Sequence, residues 1–160
     1  MCAQTLKTAS ATLLCLAALA GNAMAGGQTV TSQTDLGQGF VQVYDFGTMK
    51  LHAYQTADAM ADECFLLETE THLVAIESPA FTPDVESWKT YVAGLQSPLT
   101  DILLAAHPAG GKWYGDAVSH ATAGAKQAIE QGATYNLTMS LGQGFGPDFN
   151  TDIPTIDQVM

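Results

Sequence analysis

The sequence predicts an α/β protein, a layered sandwich of sheet and helix, and three observations carry that expectation. Short segments that alternate apolar and polar residues come in close pairs, as hairpins do. One stretch repeats its apolar residues at helical spacing, and a later apolar run is followed by a short strand and a second helix. Strands in a block, then strand and helix in alternation, fit packed layers rather than a helical bundle or a closed barrel.

The elements follow in order. Residues 26–39, "GGQTVTSQTDLGQG", are polar and glycine-rich and read as a flexible entry segment. "FVQVYDF" (40–46) alternates, and a turn leads into "MKLHAYQT". "CFLLETE" (64–70) and "HLVAIES" (72–78) are separated by Thr71 alone, so they read as a second hairpin of one antiparallel meander. A helix follows: Thr82 reads as its cap, Pro83 as its first residue, and Asp84 and Glu86 suit the positive end of its dipole. Val85, Trp88, Val92 and Leu95 give it one apolar face, and Gly94 with "QSP" (96–98) marks its end. "DILLAA" (101–106) is a buried strand, "GDAVSHAT" (115–122) contains a short one, and residues 122–131 form a weaker helix stopped by Gly132. "LGQGF" occurs at 36–40 and again at 141–145; both copies read as glycine-rich turns with a buried Phe.

Residues 1–25 have the features of a secretory signal peptide: Lys7 near the start, an apolar stretch over 11–20, and the small-x-small ending Ala23-Met24-Ala25. That apolar core is too short to span a bilayer. The expectation is therefore a secreted or periplasmic protein without membrane insertion. Cys2 and Cys15 would leave with the leader, and Cys64 would remain as a buried, unreactive thiol. The chain carries sixteen acidic residues against five lysines and no arginine, a formal charge of −11. Nucleic acid is excluded as a partner, because its binding rests on Lys and Arg neutralising phosphates.

"AAHPAGGKWYG" (105–115) sets a lone His107 at the end of the buried strand. The order "KLHAYQT", "DECFLLETETHLVAIESPAF", amphipathic helix, "LTDILLAAHPAGGKW", then a short strand into "HATAGAKQAIEQG" resembles the N-terminal half of the metallo-β-lactamase superfamily, over residues 40–132. The resemblance implies half of an αββα fold, a single shortened domain over 40–160, and a strand end that carries His-x-His-x-Asp-His. Laid on "HPAGGK", that motif matches His107 to its first ligand but puts Ala109, Gly111 and Lys112 at the others. A catalytic zinc ordinarily takes three protein ligands. Asp116 and His120 are the further ligand candidates, although a strand would set them apart along its length.

The leader and the resemblance together therefore imply an exported protein on a degenerate metal motif, non-catalytic or ligand-binding, with no cofactor and no assignable catalytic residue. His107, Lys112 and Trp113 are its ligand-contacting candidates, with Lys112 suited to a carboxylate. The alternative is a metal-dependent hydrolase of that superfamily with an atypical or incomplete site, which would hold zinc. A homodimer or a protein partner is expected to cover the missing half. No Gly-x-Ser-x-Gly elbow accompanies the Ser119-His120 adjacency, so a serine hydrolase has no support.

Overall fold

A computed structural model of the chain describes residues 29–104 and 110–160. The leader and His107 lie outside the described residues. Eight strands form one sheet in chain order: β1 (Val30–Leu36), β2 (Gly39–Asp45), β3 (Met49–Gln55), β4 (Glu63–Thr69), β5 (Leu73–Ile76), β6 (Leu99–Leu104), β7 (Val118–Ala121) and β8 (Gln158–Val159). The first five are an antiparallel meander, and β5 to β8 pair in parallel. Parallel neighbours need crossovers. Helix α1 (Thr82–Ala93) joins β5 to β6, and α2 (Ala123–Glu130) with α3 (Ala133–Phe145) joins β7 to β8. The α/β layering expected from the sequence is the fold observed.

Period-two alternation sets the core. His52 stands opposite Leu66, Leu66 opposite Ala75, Ala75 opposite Ile102, and Ile102 opposite Ser119, all buried on one face. Helix α1 lays Val85, Trp88 and Val92 on that face, with Leu95 packed at the margin, which is the stripe read from helical spacing. Cys64 is buried opposite Tyr54, and burial pushes its thiol well above its ordinary value, as an inert core cysteine requires. The other face carries Leu51, Phe65, Leu67, Val74, Ile76 and Leu103, each only half-buried.

Four local readings are corrected. Residues 30–36 are not a flexible entry but β1, an edge strand; Val30, Thr31 and Thr34 are β-branched, and an edge exposed on both faces has no apolar alternation to betray it. Phe81, not Thr82, occupies the cap position of α1 and makes no side-chain cap; Thr82 already lies in the first turn, and its N–H donates to Asp148 O at 2.8 Å. Helix α3 was not expected at all. The second "LGQGF" is its last turn rather than a loop, and there Gly142 passes so close to Thr151 that a Cβ would meet its methyl at 2.7 Å. Neither Phe of the two copies is fully buried: Phe40 is half-buried and Phe145 is exposed. The weaker helix is as expected, with Thr122 as the cap of α2 accepting from Ala125 N at 3.2 Å.

Candidate functional site

The strand directions bring four connections to one edge of the sheet. The β1–β2 turn, the β3–β4 loop and the carboxyl ends of β5 and β6 all emerge there. In open α/β sheets this is the edge at which ligands gather. A cavity of about 250 Å³ opens at it, lined by Gly37, Asp58, Phe81, Asp84, Phe145 and Asp148 among others.

Four of these lining residues are each placed by a local cause. Gly37 turns the β1–β2 hairpin at φ +59°, and a Cβ there would crowd Ser87 Oγ at 3.1 Å. Asp58 folds the β3–β4 loop as an Asx turn, its Oδ1 accepting from Met60 N at 2.8 Å and Ala61 N at 2.9 Å. Asp84 sits buried in the first turn of α1, where the helix dipole favours a carboxylate, and Tyr54 OH donates to its Oδ1 at 2.7 Å. Phe81 is held by a backbone bridge to Phe149, and its ring meets Phe145 and Phe149 edge-on at 5.7 and 5.5 Å.

The electrostatics follow from crowding acids around a buried spot. Burial, with Asp58 beside it, pushes the Asp84 carboxyl above the ordinary carboxylate range, against the Tyr54 hydrogen bond that lowers it. Burial and Asp84 push the Tyr54 phenol far above its ordinary value. Asp62 is raised by burial and by Asp58. The Oδ2 atom of Asp58 is buried with no hydrogen-bond donor among the described residues, which is costly for a carboxylate oxygen.

The three described histidines are engaged by protein groups. His52, on β3, has Nδ1 2.7 Å from Tyr91 OH and Nε2 3.0 Å from Glu68 Oε2. His72 Nδ1 lies 3.1 and 2.9 Å from the hydroxyls of Thr69 and Thr71. His120 Nε2 is 2.7 Å from Asp101 Oδ1, and the Thr100 hydroxyl first, with His120 after it, holds the Asp101 carboxyl below its ordinary range. Ser119 beside it is tied to Asp157 Oδ2 through both its N–H and its hydroxyl at 2.9 Å.

Of the residues singled out in the sequence, Lys112 and Asp116 are exposed on the turn before β7. Trp113 is buried against the core and donates to Ser78 Oγ at 2.6 Å, with Tyr114 buried beside it. Both also edge a groove of about 500 Å³ with Lys89 and Leu99. Among the described residues no group of three or more His, Cys, Asp or Glu side chains is placed to hold a metal ion. The donor set at the expected zinc position does not fit either, since Gly111 has no side chain, Lys112 is an ammonium and His120 is occupied by Asp101. Sequence reasoning missed Tyr54, Asp58 and Phe145, and it read Asp84 only as a complement to the dipole. The one available signal was the phase of His52-x-Tyr54, which puts both polar rings on the buried side of β3.

No family model matches the chain, and no curated protein matches it. Among solved structures it is similar to the metallo-β-lactamase FIM-1 from Pseudomonas aeruginosa in its mono-zinc form, with a TM-score of 0.45 and 11% identity over 72% of this chain. The chain covers 50% of the length of that protein.

Proposed function

We propose that this chain is an exported, non-catalytic ligand-binding protein on a degenerate metallo-β-lactamase-like scaffold, and that its ligand is a small organic cation seated in the cavity at the Asp84 edge. The cavity carries the reading. Three carboxylates, Asp58, Asp84 and Asp148, line it with no basic residue among the described lining residues, and the aromatic rings of Phe81 and Phe145 line it as well, a setting that suits a cation. The buried Asp58 Oδ2 lacks a donor, which such a ligand would supply. The engagement of His52, His72 and His120 by protein partners favours binding over metal-assisted hydrolysis.

Thermal melting with benzylammonium, which carries both an aromatic ring and N–H donors, and with benzoate as an anionic control, tests the site. The cation is expected to raise the melting temperature, by an amount equivalent to about 2.7 kcal/mol at a hundredfold its dissociation constant. The rise should vanish in Asp58→Asn with benzoate inert throughout. Stoichiometric zinc in elemental analysis, lost together with hydrolytic activity in His107→Ala, would overturn the reading in favour of the hydrolase. For export, mass spectrometry of the mature product should find its N-terminus at Gly26; an intact Met1 on the accumulated protein contradicts it.

A further inference from the structure

Two tyrosines and a tryptophan form a continuous stack between α1 and β3. Trp88, fully buried, lies between Tyr54 and Tyr91, with ring centroids 5.3 and 5.4 Å apart and planes inclined by 16° and 7°. Asp84, Trp88 and Tyr91 recur at intervals of four and three, so the row follows the helix axis for about 10 Å. Each terminal phenol has a base at its oxygen: Asp84 Oδ1 for Tyr54 and His52 Nδ1 for Tyr91, both at 2.7 Å. An ionised Glu68 can only accept, so it fixes the His52 proton on Nε2 and leaves Nδ1 as the acceptor facing Tyr91. The indole N–H of Trp88, in the middle, is buried with no acceptor among the described residues.

Packing accounts for the rings but not for a proton acceptor at each end and none between. We propose that the Tyr54–Trp88–Tyr91 stack is a one-electron relay, carrying an oxidising equivalent from the cavity edge at Asp84 along α1 to a proton-coupled terminus made of Tyr91, His52 and Glu68. The oxidant is a radical one-electron acceptor that reaches the cavity edge. It takes an electron from Tyr54, whose phenolic proton passes to Asp84. Trp88 then supplies an electron to Tyr54, which recovers its proton from Asp84. The Trp88 radical cation has no neighbour among the described residues to take its indole proton, so it is filled by an electron from Tyr91. The Tyr91 proton moves to His52 Nδ1 as the Nε2 proton moves to Glu68, whose side chain is 21% exposed and touches Lys50. The net change is one electron gained by the oxidant and a neutral phenoxyl at Tyr91. A one-electron reductant of the ascorbate or thiol class restores the phenol, with the proton returning by the same path. Burial holds the His52 imidazole below its ordinary value despite Glu68, so it is neutral and able to accept at rest.

Photoexcited ruthenium tris-bipyridine with persulfate supplies the oxidant in a test on the whole protein, with transient absorption and electron paramagnetic resonance as readouts. A long-lived neutral tyrosyl radical is expected. It should be lost in Tyr91→Phe, which keeps the ring in the stack and removes only the hydroxyl, and a melting curve verifies that this variant is folded. His52→Gln should shorten the radical's life and abolish its slower decay in deuterium oxide. Persistence of the radical in Tyr91→Phe, carried by a residue such as the exposed Tyr135, or an unchanged lifetime in His52→Gln, overturns the relay.

Discussion

The two helical layers of this molecule bury themselves in opposite ways. Helix α1 closes over the sheet with a continuous cluster that runs from Val41 through Trp88 to Tyr114, with the hydroxyls of Tyr54 and Tyr91 hydrogen-bonded to Asp84 and His52. The layer made by α2 and α3 buries little: Ala125 in α2, Thr134 and Thr138 in α3, and a separate small cluster of Ala80, Phe81 and Phe149. Tyr135, Leu137 and Phe145 stay exposed on α3. The difference teaches that stability is concentrated in one helix, while the cavity lies where the strong layer meets the weak one, between the start of α1 and the end of α3.

The comparison is broken most severely at Trp88. Trp88→Ala removes a fully buried ring from the strong layer and should cost roughly 3–5 kcal/mol in urea unfolding. Leu141→Ala, against the small cluster of the weak layer, should cost less than half of that. A larger loss at Leu141 than at Trp88 would reverse the assignment of strength. A middle-sized effect belongs to Thr122, whose hydroxyl caps α2. Thr122→Ala should cost about 1 kcal/mol and raise amide exchange in α2 and α3 while leaving α1 protected. Uniform loosening of all three helices would show that the layers are one cooperative unit.

The smallest effects come from titration at the two ends of α1, and their signs differ. Asp84, facing Asp58 and Tyr54, is held above the ordinary carboxylate range, so folding favours its protonated form. Its stabilisation is complete below about pH 3.9 and is lost as pH rises through the folded value. Asp84→Asn should therefore stabilise the protein at about pH 7 and give no gain near pH 3.5, where both side chains are neutral. His52, facing Glu68, Lys50 and Tyr91, is held below its ordinary value, so its contribution is complete above about pH 6.5 and is lost as pH falls from there through the lower folded value. His52→Gln should flatten the acid-side slope. Melting temperatures across the range check both, and equal slopes in the two variants would contradict them.

What was legible in the sequence follows the same division. Strands β2 to β5 and helix α1 each bury one face, so their periods of two and 3.6 residues appear in the order of apolar residues. β1 has no buried face, and α3 buries only two threonines, so neither leaves a periodic trace. The cavity was invisible for another reason. Tyr54 and Asp84 are thirty residues apart and Asp148 is farther still, and only the crossover from β5 and the return of α3 bring them together. The lone His107 was conspicuous in sequence, but it falls outside the described residues, and the polar groups that converge at this edge came from segments that carry no motif.

The edge position of β1 has a mechanical consequence. In the sheet ladder this strand pairs with β2, with Val30 opposite Tyr44 and Leu36 opposite Gly39, and its far end is also tied by Tyr54 OH donating to Leu36 O at 3.4 Å. A force drawn from the Val30 end, away from β2, loads the outermost bonds of that ladder one after another, as in opening a zipper. A force that slides β3 past β4 instead loads a full antiparallel ladder of seven paired residues at once. Pulled from the β1 end, the molecule should yield first by peeling a single strand at low force, with the α1 layer still closed behind it.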